Sequence, residues 1–472
     1  MTGKGGGKAA DARHLPDDPA QAVSAQAGSG ETTTSGYPGN GSIDGTGRSE
    51  SGLPESIPSA LHSWRDRVVV GPALAAMTSG VGQFGITAGL ALVAKGFGRT
   101  FNGHSIAAVA GLSATSLGIG LAVIRLSSLF ALPLASLADR TGRRRVILVC
   151  TGTGLFLTAL AGASPTYWVF VAVFALGRPL LSATTSVAQV IASEETSSQN
   201  RAKAIAMVAG GYALGAGAIA VVNGMLGKTI GFRGIFFVAV LPLLALPLIA
   251  RMIEEPDRFE RIRHTGHSRR NSAIRSLAPR YRRRLVVVLV LSFAVSWLTG
   301  PADTFVFLYA ESFQHMPAAD TAVMVLAAGI IGLLGLLAGR WLADHLGRRI
   351  TAMLALVAMT GFAVLLYSGS NVGLVTGYEL AIFAGGTFSA PAGTFVLEQF
   401  PTSIRSAVSG WQVTSGVIGA AAGLFVFGIV AHASDHFSTT AELLFPAVAV
   451  VSLLFFALRE TRGKEPEELW GE

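Results

Sequence analysis

From Val68 to Leu458 the chain alternates long apolar stretches with short polar breaks. The stretches predict helices at about 68–94, 108–137, 146–163, 166–192, 203–225 and 232–252. After a polar interval they predict six more, at about 285–310, 321–343, 350–368, 372–397, 406–431 and 440–458. A helix needs about 20 apolar residues to cross a bilayer, and these runs reach that length repeatedly. Only helices and closed barrels satisfy their backbone groups in lipid. The runs lack the two-residue alternation of barrel strands. The expected fold class is an all-α integral membrane protein with twelve transmembrane helices. The second run is long, and its first turns, Ala108–Thr115, are expected to lie outside the membrane.

Charge refines this picture. Only 14% of the 472 residues are charged, against about 25% in soluble globular proteins. With the N-terminus in the cytoplasm, the inner loops hold Arg140, Arg143, Arg144, Arg145, Arg201, Lys203, Arg348, Arg349 and Arg405. Eleven more basic residues run from Arg251 to Arg284. The outer loops hold only Lys95, Arg99, Lys228 and Arg233. The excess of Lys and Arg on one side places both termini in the cytoplasm and the protein in the cell inner (plasma) membrane, with membrane lipid as its surroundings. The net charge of +8 is then a matter of topology, and no nucleic-acid partner is expected. Residues 1–64 hold no apolar core behind their charges, so they are not a signal peptide. They read as a solvated, disordered cytoplasmic tail. Residues 461–472 form a second, short one. Cys150 is the single cysteine. It excludes an intrachain disulfide and reads as a small apolar helix residue.

The chain also repeats itself. Residues 137–144 read LADRTGRR and residues 342–349 read LADHLGRR, with Asp344 lying 344 − 139 = 205 positions after Asp139. Glu194 precedes Arg201 by seven residues, and Glu398 precedes Arg405 by seven, at an offset of 398 − 194 = 204. Two motifs recurring at one spacing indicate duplication. The expected halves are 65–252 and 285–460, joined by a basic cytoplasmic linker at 253–284. Parallel repeats are a common transporter plan.

These motifs, with EETSSQNR after the fourth helix, EQFPTSIR after the tenth and RETRGKEPEEL at the end, make the chain resemble the major facilitator superfamily. In motif style it is closest to the sugar-porter and metabolite–proton symporter branches. The seventh helix lacks the paired glutamines of the sugar porters, and the fifth lacks the Gly-Pro of the drug exporters. The resemblance implies a monomeric secondary transporter of a small-molecule substrate, with two halves rocking about a central cavity. It also implies that Asp139, Gly142 and Arg143, and their repeats Asp344, Gly347 and Arg348, latch the halves. The plainer reading is a topogenic positive loop. Glu194 with Arg201, and Glu398 with Arg405, are expected to form ion-pair networks with those loops and to exchange partners during rocking. The alternative is a solvated pair at a helix end.

Arg125 and Arg178 lie near the middles of the second and fourth helices. A charge at that depth is costly and faces a partner or a wet cavity. Two arginines in one half could hold a carboxylate or phosphate through their donor forks; the alternative is a structural tie within the bundle. Asp303 follows Gly300-Pro301 in the seventh helix, where proline bends the backbone. It is a candidate proton-coupling acid or, alternatively, an acid of the outer vestibule. Gln83, Gln189, Asn223, Trp297, Tyr378 and Gln412 are candidate cavity residues. Glu379, Glu311 and Asp66 are expected close to the membrane faces, solvated or interfacial. No ATP-binding motif, cofactor motif or metal pair of the HExxH kind occurs, so the expectation is not an enzyme but a carrier driven by an ion gradient, protons first. The cargo expected is a small metabolite, with an organic anion favoured by the arginines. The alternative is efflux of a drug or metabolite by proton antiport.

Overall fold

The computed structural model describes residues 63, 65–103, 105–253, 279–401 and 404–462. The tail to residue 62, most of the predicted linker and the end beyond 462 lie outside the described residues.

Twelve helical spans result. α1 is Arg67–Ala88, continued past Gly89 by Leu90–Phe97. α2 is Ala114–Thr141, α3 Arg143–Gly162 and α4 Tyr167–Glu194. The helical stretch Ser198–Phe237 breaks at Gly231 (φ 63°). We call 198–230 α5 and 232–250 α6. The second half holds α7 (Pro279–Leu308), α8 (Ala318–Leu346), α9 (Arg348–Leu366) and α10 (Asn371–Glu398). α11 (Arg405–Ser434) and α12 (Phe437–Ala457) complete it. Most spans exceed 20 residues and so, at about 1.5 Å per residue, cover the hydrocarbon core.

One predicted boundary moves. The second helix starts at Ala114, not near 108, because Gly111 (φ 93°) separates it from a short helix, Ile106–Ala110. Ser113 caps the new start, its Oγ accepting from the backbone N–H of Ser116 (3.1 Å). α2 then runs on to Thr141, so Asp139 and Arg140 sit in its last turn rather than in a loop.

The duplication recurs in the packing. α1 packs on α5 as α7 packs on α11, α3 on α4 as α9 on α10, and α2 on α4 as α8 on α10. Small residues make these approaches. A methyl at Gly211 or Gly215 of α5 would strike the carbonyls of Ala73 or Met77 on α1. One at Gly419 or Gly423 of α11 would strike Phe293 or Trp297 on α7. Between halves, α2 packs on α11 and α5 on α8, an arrangement the duplication maps onto itself. The α2–α3, α4–α5, α8–α9 and α10–α11 connections define the basic end of the bundle, and the α1–α2, α3–α4, α5–α6, α7–α8, α9–α10 and α11–α12 connections the far end. An aromatic cluster closes the far end of each half: Phe97, Phe170, Phe232 and Phe236 in the first, Phe305, Tyr367, Phe427 and Phe437 in the second.

Candidate functional site

A cavity of about 260 Å³ lies between the halves. Its polar lining includes Gln83 (α1), Arg125 (α2), Arg178 (α4) and Tyr212 (α5) from the first half, and Thr299, Asp303 and Thr304 (α7) from the second. Phe84, Leu121, Ile124 and Leu424 form its apolar walls. A second cavity of about 380 Å³ shares Gln83, Arg125, Arg178 and Tyr212 and extends past Ser128, Ala135 and Ser186 toward the basic end.

Arg178 is anchored at one point. Its Nη1 donates to the backbone carbonyl of Gln83 (3.2 Å), while its Nε is buried without a partner. Gln83 is itself fixed. It is 5% exposed; its Nε2 donates to Ser79 Oγ (2.8 Å), and its Oε1 accepts from Ser182 Oγ (3.2 Å). Ser79 donates in turn to the Leu181 carbonyl (2.7 Å). This α1–α4 network holds Gln83 as a support for Arg178, with both ends of its side-chain amide engaged inside the protein. Arg125 likewise has a buried Nε with no partner. Among the described residues, no ion pair within 4.0 Å joins Arg125, Arg178 or Asp303 to another group.

Asp303 follows Pro301 in α7. Pro301 lacks the N–H that would bond to the Trp297 carbonyl, and Gly423 of α11 backs onto the Trp297 backbone there. The hydroxyl of Tyr367 donates to the carbonyls of Pro301 (3.3 Å) and Ala302 (3.4 Å), holding this turn in place. Asp303 is thereby held with its carboxyl open to the cavity. Two cations of one half and one acid of the other thus line a single water-accessible space.

The remaining candidates divide. Gln189, Trp297 and Gln412 do not line the cavity; Trp297 packs on Phe293 at 5.9 Å. Tyr378 is buried. Glu379, expected to be solvated or interfacial, has both carboxyl oxygens buried without partners. Glu311 is half-buried and accepts hydrogen bonds from Asn223 and Thr321. At the basic end each acid pairs with an arginine of the repeated motif. Glu194 pairs with Arg143, not Arg201, and Glu398 with Arg348, not Arg405. Arg201 Nε instead donates to the Ser193 carbonyl (2.9 Å), and Arg405 Nε to the Phe400 carbonyl (3.0 Å). These arginines close helix ends because each sits about a turn past a chain reversal, where free carbonyls collect. Arg143 also reaches Asp139 (3.4 Å). Asp344 is exposed and has no counterpart pair among the described residues. Its place is taken by Glu460, which accepts from the N–H groups of Arg348 (3.1 Å) and Arg349 (3.0 Å) and caps α9. Sequence reasoning passed over Glu460, Tyr212, Thr299 and Thr304. Only the RETRGKEPEEL motif signalled the first; polar residues in apolar helices signal the others weakly.

Twelve spans in two matching halves around a central polar cavity define a membrane transporter. Residues 72–424 match the Major Facilitator Superfamily pattern, and the chain belongs to that family. It is 26% identical to the protein named "Probable 4-methylmuconolactone transporter" of Cupriavidus pinatubonensis, over 69% of this chain and 77% of the relative. It is 24% identical to the cis,cis-muconate transport protein of Acinetobacter baylyi, over 62% and 73%. Among solved structures it resembles the inward open xylose transporter XylE of E. coli, with a TM-score of 0.67 at 15% identity, over 86% of this chain and 98% of that one. These are transporters of small metabolites, not enzymes, and so is this chain.

Proposed function

We propose that this transporter carries a small organic anion together with protons, by alternating access, into the cytoplasm across the plasma membrane. The observation behind this reading is the meeting of Arg125, Arg178 and Asp303 in one cavity, with neither arginine engaged in an ion pair among the described residues. A guanidinium at membrane depth costs about 2.5–3.5 kcal/mol, and a substrate carboxylate supplies the missing counter-charge through the donor fork. Phe84, Leu121 and Leu424 suit the hydrocarbon part. Asp303 faces the same space from the other half. Ionised, it repels the anion; protonated, it does not. Anion and proton then favour each other's binding, which is thermodynamic coupling. A relative named for cis,cis-muconate transport supports an anionic cargo.

The test uses purified protein in liposomes holding a pH-sensitive dye, with organic acids, phosphorylated compounds, sugars, amino acids and cationic drugs added outside. Organic acids are expected to acidify the lumen faster than in protein-free liposomes. Arg178→Ala should abolish this. Asp303→Asn should abolish proton movement yet retain exchange of labelled acid. A response confined to cationic drugs would sink the anion reading and favour antiport efflux.

A further inference from the structure

The two halves meet closely toward the far end. Gly118 of α2 faces Gly428 of α11, and Gly224 of α5 faces Ala318 and Ala322 of α8. Polar links between halves lie there too. Asp435, in left-handed backbone (φ 57°), accepts from the N–H of Ile106 (3.0 Å). Asn223 of α5, 2% exposed, uses one Nδ2 twice. It donates to the Ala88 carbonyl at the end of α1 (3.0 Å) and to Glu311 Oε1 across the interface (3.3 Å). Thr321 Oγ1 of α8 lies 3.3 Å from the same oxygen and also donates to the Ala318 carbonyl (2.8 Å), so its one proton is shared between them. At the basic end, by contrast, the ion pairs of Arg143 with Asp139 and Glu194, and of Arg348 with Glu398, each stay within one half.

Two features separate this cluster from ordinary packing. Glu311 lies in a π-helical turn, Tyr309–Phe313, that ends α7, and such turns recur at functional sites. Asn223 Oδ1 is buried with no partner. A permanently closed contact would be expected to satisfy that oxygen; one that opens leaves it poorly matched in one of its two states. Asn223 also needs Gly227 beside it, since a methyl there would lie 2.8 Å from Oδ1.

We propose that Asn223, Glu311 and Thr321 form the latch that holds the far end of the transporter shut while the cavity opens toward the basic end. The carboxylate of Glu311 gathers donors from both halves. Rocking the halves apart breaks the Asn223 link and leaves the Thr321 link within the second half intact. This role does not depend on which solute moves.

The test exploits the single cysteine. In a Cys150→Ala background, Thr304→Cys reports from the central cavity to a membrane-impermeant maleimide applied on the far face. The parent is expected to react slowly. Glu311→Ala and Asn223→Ala should react about tenfold faster, the shift expected on losing a charge-assisted hydrogen bond. Thr440→Val, which removes a buried hydroxyl bonded within the second half (2.8 Å to the His436 carbonyl), should leave the rate near that of the parent. Unchanged rates in the single variants overturn the latch. So does an equal acceleration in Thr440→Val, because that is general loosening. Should Glu311→Ala not fold, Glu311→Gln carries the same comparison.

Discussion

At Arg178 one Nη donates to the Gln83 carbonyl while Nε is buried without a partner. A lysine keeps the charge but lacks the planar fork that fixes the Gln83 carbonyl and a carboxylate in one geometry. Arg178→Lys should therefore lower kcat/KM for the transported acid by about tenfold or more, measured by initial uptake in proteoliposomes. A variant that transports like the parent would show that charge alone suffices. Gln83→Ala should act through Arg178, since among the described residues the Gln83 side-chain amide hydrogen-bonds Ser79 and Ser182, and its backbone carbonyl accepts from Arg178. It should raise KM with kcat nearly unchanged, and a loss confined to kcat would count against that positioning role. The sequence exposes Arg125, Arg178 and Asp303 because a charge inside an apolar run stands out. It does not separate them from Gln189 or Gln412, because an amide facing a cavity and an amide facing a neighbouring helix occupy equally polar positions in the sequence.

Among the elements, the two α2–α3 and α8–α9 turns carry the clearest stability forecast. Gly142 (φ 102°) and Gly347 (φ 93°) each end one helix and start the next. With ψ of 137° and 155° these positions lie near backbone space that is almost exclusive to glycine, where a side chain costs about 1–3 kcal/mol. Gly347→Ala adds a clash, its methyl lying 2.9 Å from Glu460 Oε2. Both variants should melt lower than the parent in detergent, with Gly347→Ala the lower of the two. Equal melting would mean that Glu460 moves aside freely. Here the sequence reads well, since a Gly between LADRT or LADHL and a run of arginines names the turn. The partner of the second turn is less legible. Glu460 lies 460 − 347 = 113 residues beyond Gly347, and no local pattern reports a contact of that span.

For the whole molecule, the cavity's continuation past Ser128, Ala135 and Ser186 assigns its opening to the basic end. In a Cys150→Ala background, Ser186→Cys should react with an impermeant maleimide added on the face of the basic loops and resist it from the far face. Rapid reaction from the far face alone would reverse the assignment. The ion pairs at the basic end stay within their halves in this state, so Glu194→Gln should shift the balance between the two conformations by severalfold at most, as partly exposed pairs do. The readout is the same Ser186→Cys labelling rate. A change of a hundredfold would mean that the pair bridges the halves in the other state.

Hydropathy and loop charge are local properties, so the sequence by itself determined the helix count, the duplication and the depth of the charged residues. Tertiary structure alone decided which distant groups meet. Arg125, Arg178 and Asp303 come from three helices, Glu194 takes Arg143 rather than its near neighbour Arg201, and Asn223 reaches Glu311 across the interface. Each of these partners is chosen by helix rotation and close approach at small residues. The conformation is decided at the same level. Contacts that join the two halves in this conformation, such as Asn223 with Glu311, leave no periodic trace in the sequence.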